Sequence, residues 1–540
     1  MSGVDPITLQ VLLGALRAAC EEMGATLIRA SHSGNIKERR DASTALFDAR
    51  GEMVMQAEHI PVHLGAMPAA VAAVLDEDHA PGRSWILNDP FRGGTHLPDI
   101  TVITPVFADG GDDLLGFAAS RAHHADVGGK VPGSMPADST TLEEEGVVIE
   151  PQPLDDEAIE RLVARMRQPA QRRADLRAQL AANRAGERRL RELAERAGAD
   201  TLRAAMDAVL DYAERRTRAC LAEMPDGTYS ARDFLEAMAP GARSGSGDGH
   251  EAGDGAEDGG FGHGHEAGDG DSNGEGDHFG EDLELRLEAT VSGDQLILDF
   301  AGSAPQHAGN LNCPLAVTRS AAYFAVRVLT DPDIPPCAGA YRPVEVRAPE
   351  GSLLNARPGA AVVAGNVETS SRVADLILAA FGRALGQGTM NNLTLGNDQF
   401  TYYETLGGGQ GACPDADGPS GVHVAMSNTL NTPVEALELE FPLRVVEYAL
   451  RRGTGGAGRH RGGDGVAREV EALAPMDFSL LTERRRHAPP GAGGGEPGAR
   501  GRNLLDGEEL PPKASGRLEP GSRLRIETPG GGGFGDPSAP

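Results

Sequence analysis

Three histidines and two carboxylates are concentrated within about thirty residues of a chain that is otherwise poor in histidine. They lie in two short runs and are His96, Asp99, His123, His124 and Asp126. Imidazole and carboxylate groups are the ligands that proteins offer to Zn, Mn and Fe(II). The two runs therefore predict a metal site, against the alternative that loop histidines near strand ends serve as surface or hydrogen-bonding residues.

A β-hairpin is the element that would bring the two runs together. Two apolar stretches, residues 100–107 and 114–119, separate them, and a segment of Asp and Gly lies at 109–113. Apolar runs with such punctuation predict two strands and a turn. Because a hairpin returns its outer ends to one place, we expect the polar residues before the first strand to lie beside those after the second.

The rest of the chain alternates between helical and extended patterns. Asp5 and Pro6 predict the start of a long amphipathic helix, and residues 155–221 predict two or three helices that bury one face. Other helices are expected at 316–329 and 370–385, with extended segments at 394–404 and 522–528. The expected fold is mixed α and β, an α+β arrangement of several sheets with a long N-terminal helix and a central helical segment.

The length of 540 residues predicts more than one domain. We expect an N-terminal domain at 1–235, with the metal site and the helical segment, and a mixed α/β region with Gly-rich loops at 283–540. The stretch between them, 236–282, is acidic and Gly-rich. Residues 244–282 contain twelve Asp and Glu and no Lys or Arg, so this insertion is predicted to be disordered.

The composition excludes some classes of protein. A formal net charge of -30 and a pI near 4.9 argue against a nucleic-acid surface. High acidity, with Arg in place of Lys, is typical of a salt-adapted, halophile-like protein. The five cysteines are scattered without a CxxC pair, and neither a signal peptide nor a membrane span is evident. These features predict a cytoplasmic location.

No phosphate-binding P-loop is present in the sequence. That motif needs a Gly-Lys-Ser/Thr run, and the lysines Lys37, Lys130 and Lys513 are followed by Glu, Val and Ala. We therefore expect this chain not to bind ATP in that way.

Phrases spread from the N-terminal region to the tail carry a family resemblance. They are residues 35–41, 59–65, 88–99, 121–129, 175–189, 341–343, 365–370, 388–392, 428–435 and 530–536. In these phrases the chain resembles the hydantoinase B / 5-oxoprolinase family, which also includes the metal-carrying subunit of acetone carboxylase.

The resemblance implies ATP-dependent opening of a cyclic amide, such as an N-methylhydantoin or 5-oxoproline. A hydantoinase A-type partner of actin-like ATPase fold would bind ATP and phosphorylate the amide oxygen. This chain, as the B subunit of a hetero-oligomer, would complete the attack of water on the activated carbon. By analogy with the carboxylase member, the implied ligands of a divalent Mn, Zn or Fe ion are His96, Asp99 and His123, with His124 as the alternative to His123.

Other polar residues are weaker candidates for the same site. Additional metal ligands or substrate contacts could come from His59, His63, Asp89, Asp126 and His124, for which loop packing is the competing interpretation. Substrate contacts could also come from Lys37, Arg39, Asp41, Asn391, Asn392 and His423, for which exposed ion pairs and loop hydrogen bonds are the alternatives.

Two other functions compete with cyclic-amide hydrolysis. A ketone carboxylase subunit would keep the same metal but join CO2 to an enolate. A non-catalytic scaffold for the ATPase partner would tolerate loss of every candidate ligand, and the complete set of His96, Asp99 and His123 argues against it.

Overall fold

The structure is a computed structural model that describes residues 4–58, 60–237 and 280–538. His59 and nearly all of the predicted acidic insertion at 236–282 lie outside the described residues.

A six-stranded sheet forms the base of the N-terminal half, with strand order β2-β1-β5-β4-β3-β6. Its strands are β1 (Ala42–Asp48), β2 (Met53–Glu58), β3 (Ser84–Leu87), β4 (Asp99–Phe107), β5 (Leu114–His123) and β6 (Gln152–Leu154). The predicted hairpin is confirmed, because β4 and β5 pair antiparallel with Asp99 opposite His123. Strands β4 and β5 are buried along almost their whole length because both faces of this sheet are covered.

Long helices cover this sheet. They are α1 (Pro6–Ala30), α2 (Gly34–Lys37), α3 (Ala66–Ala72), α4 (Leu142–Glu145), α5 (Asp156–Val163), α6 (Pro169–Ala197) and α7 (Ala199–Ala222), with short 3-10 turns at Pro61–His63 and Pro90–Arg92. The Asp5 side chain caps α1 by accepting from two backbone N–H groups, as the sequence predicts. Helix α6 packs against α1 and against β4 and β5, so it supports the hairpin from behind.

A second sheet follows the helices, with strand order β10-β9-β8-β7. It contains β7 (Gly227–Leu235), β8 (Leu283–Ser292), β9 (Gln295–Asp299) and β10 (Val344–Arg347), with α8 (Leu315–Leu329) and α9 (Ser370–Ala380) nearby. A π-helical turn, Gly365–Thr369, leads into α9. Strands β7 and β8 pair over their full length, so the predicted domain boundary falls inside one sheet.

The remaining elements form two more sheets. They are β11 (Asn392–Gly396), β12 (Thr401–Glu404), α10 (Val434–Glu440), β13 (Leu443–Arg451), β14 (Gly465–Ala472), β15 (Met476–Leu481), β16 (Arg502–Leu505), β17 (Glu508–Leu510), β18 (Lys513–Leu518) and β19 (Arg523–Glu527). The strand orders are β12-β11-β15-β18 and β13-β14-β19-β16-β17. The expected mixed α and β class, with several sheets and a long first helix, is confirmed. Within the described ranges, no helix is both long and apolar enough to cross a membrane.

The glycines of the tail run through a bundle of Gly-rich loops. The N–H groups of Gly530, Gly531 and Gly532 donate to three different segments, and those of Gly533 and Phe534 return to the first two. The acceptors are the carbonyl oxygens of Ala499, Gly463, Leu385, Glu496 and His460, in that order, at 2.8–3.0 Å. This repeat of three residues is that of a polyproline II helix.

Replacing Gly531 by alanine should destabilise this bundle. An added Cβ would lie 2.0 Å from the carbonyl oxygen of Gln410, and backbone cannot move aside as a flexible side chain can. We expect Gly531→Ala to lower the free energy of unfolding by about 2 kcal/mol or more, measured by urea denaturation. Gly14→Ala is the control, because nothing lies within 4 Å of a Cβ there. Equal unfolding midpoints for the two variants would contradict the close packing of the tail.

Candidate metal centre

The ends of the β4–β5 hairpin bring three potential ligands together. Asp99 begins β4, His123 ends β5, and His96 lies in the turn before β4, where its carbonyl accepts the Asp99 N–H at 3.0 Å. Asp99 Oδ1 is 3.2 Å from both His96 Nε2 and His123 Nδ1. The two ring nitrogens are also 3.2 Å apart. The three ligand atoms therefore form a nearly equilateral triangle.

This triangle fits a divalent metal ion. Metal–ligand bonds of about 2.0–2.1 Å place neighbouring ligand atoms about 3.0–3.4 Å apart in octahedral or tetrahedral geometry, and the observed separations of 3.2 Å fall within that interval. All three side chains are buried. Burial lowers the pKa of His96, which favours the neutral imidazole that binds metals.

The Asp99 carboxylate is held in place by its other oxygen. Thr95 Oγ1 donates to Asp99 Oδ2 at 2.5 Å, and His63 Nε2 lies 3.5 Å from the same oxygen. Burial acts to raise the pKa of Asp99, but the neighbouring His96, His123 and His63 outweigh it and lower the pKa well below its usual value. A carboxylate oriented in this way is ionised and ready to ligate.

His63 belongs to the site, although it is far from the hairpin in sequence. It ends the 3-10 turn Pro61–His63 and is fully buried. Its Nδ1 lies 2.9 Å from Ser43 Oγ on β1, which orients the ring so that Nε2 faces Asp99. Its Nε2 has no hydrogen-bond partner among the described residues. His63 can therefore support the Asp99 carboxylate or bind a ligand in the cleft.

His124 points away from the triangle. Its Nε2 lies 3.0 Å from Gln179 Oε1 on α6, and burial lowers the pKa of His124 to about 4. Alternation along an extended chain explains why the neighbours His123 and His124 face opposite sides. The structure thus places His123, and not His124, beside His96 and Asp99.

The orientation of His124 predicts a stability effect without metal loss. We expect His124→Gln to retain the metal content of the wild-type chain and to lower the free energy of unfolding by about 1–3 kcal/mol, because a buried contact with Gln179 is disturbed. Metal analysis and thermal denaturation on the same preparation test this. His123→Gln is the matched comparison, and metal loss in the His124 variant alone would reverse the assignment of the pair.

Two further carboxylates that the sequence singles out serve the local loops. Asp126 accepts from the N–H of Gly133 at 2.7 Å and from Arg167, which holds the loop after β5. Asp89 caps the 3-10 turn Pro90–Arg92, and burial raises the pKa of Asp89. Neither residue lines the cleft at the triangle.

The charged cluster after α1 divides into three separate roles. Asp41 lines the cleft together with the triangle. Arg39 is buried and donates to the carbonyl of Tyr403 at 2.9 Å, with its guanidinium carbon 4.7 Å from the Tyr403 ring centroid. Lys37 is exposed. Of the cluster, only Asp41 faces the cleft.

The remaining sequence candidates surround the cleft without lining it. Asn391 bonds to Gln387 and Arg485. Asn392 accepts from the Tyr403 hydroxyl at 3.3 Å. His423 hydrogen-bonds Ser427, and burial lowers the pKa of His423 to about 4. These residues fix the positions of others that do face the cleft.

The opposite wall of the cleft comes from the second half of the chain and was not predicted from the sequence. Tyr403 on β12 stacks on the His123 ring with centroids 4.5 Å apart and an interplanar angle of 17°. The other unpredicted lining residues are Thr405, Asn366, Val367, Met390, Met426, Ser427, Asn428 and Thr429. Two phrases of the family resemblance, residues 365–370 and 428–435, contain four of them and were the available signal.

The cleft combines groups suited to metal-assisted hydrolysis. It has a volume of about 320 Å³ and places Asp41 near the triangle of His96, Asp99 and His123. A metal ion at such a triangle can polarise a bound oxygen, and a second carboxylate can accept a proton. The amide and hydroxyl groups on the opposite wall can hydrogen-bond a small polar ligand.

The comparisons with known proteins define the family. The family model described as Hydantoinase B/oxoprolinase matches residues 5–537, and the chain belongs to this family. Among its relatives, 5-oxoprolinase 1 of Arabidopsis thaliana is 41% identical over 98% of this chain and 42% of its own length. A protein of Pseudomonas sp. (strain NS671), named for a D-/L-hydantoinase as its B subunit, is 30% identical over 99% of this chain and 90% of its own length.

Solved structures share the fold. The ATP-dependent caprolactamase from Pseudomonas jessenii matches with a TM-score of 0.84 at 29% identity, covering 99% of this chain and 92% of that one. An acetone carboxylase matches with a TM-score of 0.84 at 18% identity, covering 99% of this chain and 76% of that one, and shows likeness of fold. The chain spans about two fifths of the length of the 5-oxoprolinases that it matches.

Proposed function

We propose that this chain is the B subunit of an ATP-dependent hydrolase of cyclic amides, of the N-methylhydantoinase or 5-oxoprolinase type. The observation that carries the proposal is the buried triangle of His96, Asp99 and His123 in the cleft of a chain from this family. Relatives named as 5-oxoprolinase and hydantoinase, and the caprolactamase with the same fold, support a cyclic amide as the substrate.

The proposal divides the reaction between two chains. Amide resonance makes a ring amide a poor electrophile, so ATP is spent to phosphorylate the amide oxygen. A hydantoinase A-type partner of actin-like ATPase fold performs that step, consistent with the lack of a P-loop sequence in this chain. The hydrolytic step then takes place in the cleft described above, in a hetero-oligomer that we place in the cytoplasm.

The residues of the cleft would direct water to the activated carbon. Asp41 accepts a proton from the attacking water as its oxygen bonds to that carbon. The ring C–N bond then breaks as the nitrogen takes up a proton, which leaves a linear acyl phosphate. A second water hydrolyses the acyl phosphate to a carboxylate and inorganic phosphate. Exclusion of bulk water by the tight cleft limits premature loss of the activated group.

A divalent metal fits this scheme. Held by His96, Asp99 and His123, an ion of Mn, Zn or Fe would supply Lewis-acid stabilisation of the negative charge that develops on oxygen. Thr95 and His63 would keep the Asp99 carboxylate oriented toward it. The imidazole and carboxylate donor set suits all three metals.

The decisive experiment is an assay of this chain together with its A-type partner. Purified complex is incubated with ATP and, separately, with 5-oxoproline, hydantoin, N-methylhydantoin, or acetone plus bicarbonate. We expect ADP to form together with a ring-opened product from at least one cyclic amide. Product from acetone alone would instead establish the carboxylase alternative, and full activity after removal of the His96, Asp99 and His123 side chains would establish a scaffold role.

A further inference from the structure

An exposed apolar surface lies along one edge of the last sheet. Its residues, which we call the edge patch, are Leu430, Leu439, Val446, Tyr448 and Leu450. Leu439 is 89% exposed and Leu430 is 51% exposed. Single exposed apolar residues need no explanation, but a group of large ones on neighbouring elements marks a surface that another molecule covers.

Strand β13 and helix α10 build the edge patch. Strand β13 lies at the edge of its sheet, and Val446, Tyr448 and Leu450 alternate along it on one face. Helix α10 packs against β13 and carries Leu439. The Tyr448 hydroxyl donates to Asn431 Oδ1 at 2.8 Å, which brings the segment of Leu430 against the strand.

The edge patch adjoins the metal cleft. Leu430 directly follows Thr429, which lines the cleft, and its N–H donates to the carbonyl of Arg39 at 3.1 Å. Beneath Tyr448, the guanidinium carbon of Arg468 lies 4.6 Å from the ring centroid. A molecule bound on the edge patch would therefore sit beside the site at which we place ring hydrolysis.

A buried ion pair links this surface to the wall of the cleft. Arg468 lies 3.2 Å from Glu404 Oε2, and both side chains are buried. Glu404 ends β12 and directly follows Tyr403, which stacks on His123. The position of Tyr448 is thus coupled by contiguous contacts to a ring that packs on the metal triangle.

We propose that the edge patch is the docking face for the A-type ATPase chain, an inference that rests on the proposed function. In the 5-oxoprolinases the matching region is about two fifths of a longer chain, so in those proteins this region is joined to further polypeptide. An exposed apolar face beside the cleft is where such a polypeptide can deliver an activated ring over a short distance. Desolvated apolar anchors in such a face supply most of the binding energy.

The charge of the surface favours a different chain over a second copy. Helix α10 carries Glu435, Glu438 and Glu440 around Leu439, and all three are exposed. With a formal net charge of -30, two copies repel each other as they approach. The partner expected here presents an apolar surface bordered by Arg or Lys.

The test compares two pairs of substitutions with the same chemistry. One variant carries Leu439→Gln and Leu450→Gln in the edge patch. The control carries Ile7→Gln and Val11→Gln, two residues of α1 that are 78% and 65% exposed. Dissociation constants for the purified A-type chain of the same source are measured by titration, and oligomeric states by sedimentation velocity.

We expect the edge-patch variant to bind the A-type chain at least about tenfold more weakly than the wild type, and the control to bind as the wild type does. Equal binding by all three proteins would overturn the docking inference and leave the proposed function intact. A wild-type homodimer that the edge-patch variant abolishes would show that a second copy covers this face, which also overturns it. Absence of any wild-type complex with the A-type chain would overturn both the inference and the proposed division of labour.

Discussion

Replacing His96, Asp99 or His123 by alanine is expected to weaken binding of a divalent metal by more than about a hundredfold and to abolish ATP-coupled ring opening. Each side chain supplies one vertex of the 3.2 Å triangle, and changes to groups that only support a metal ligand already cost about 10- to 100-fold in affinity. Metal content after dialysis and titration with Mn or Zn measure the loss directly, independent of turnover.

The control for this series is His32→Ala, because His32 is exposed and outside the cleft. Circular dichroism shows whether each variant is folded, so metal loss can be separated from unfolding. Full occupancy and activity in both His96→Ala and Asp99→Ala would refute the site. Retained folding with lost metal in all three variants would establish the triangle as the ligand set.

The hairpin that assembles the triangle was predictable because its signal is local. Apolar runs on either side of the Asp and Gly at 109–113 define β4 and β5, and antiparallel pairing then places the start of one strand opposite the end of the other. The alternation of side chains along an extended chain also separates His123 from its neighbour His124. The structure confirms the hairpin and places His96, Asp99 and His123 together.

Tertiary packing decided which loop residues reached the cleft, and local patterns do not record it. His63 and Asp126 were equal candidates in sequence, but the first faces Asp99 and the second holds its own loop. Tyr403 is a further example, because it reaches His123 only when the third sheet packs on the hairpin ends. The extended segment predicted at 394–404 is in fact two strands, β11 and β12, joined by a turn.

The second large effect is expected for Asp41→Asn. Asparagine has nearly the shape of aspartate but cannot accept a proton from water, so we expect kcat to fall by about 10²- to 10³-fold. The triangle is unchanged, so the variant should retain its metal. Steady-state kinetics of the complex and metal analysis of the same sample test both expectations.

Asp89→Asn is the matched control for this substitution. Asp89 lies outside the cleft and caps a short helix, and asparagine is an equally good cap, so its kcat should equal that of the wild type. A wild-type kcat in metal-loaded Asp41→Asn would exclude Asp41 as the proton acceptor. Loss of metal from Asp41→Asn would instead make Asp41 a ligand, since only a direct bond to the ion explains metal loss when the triangle is intact.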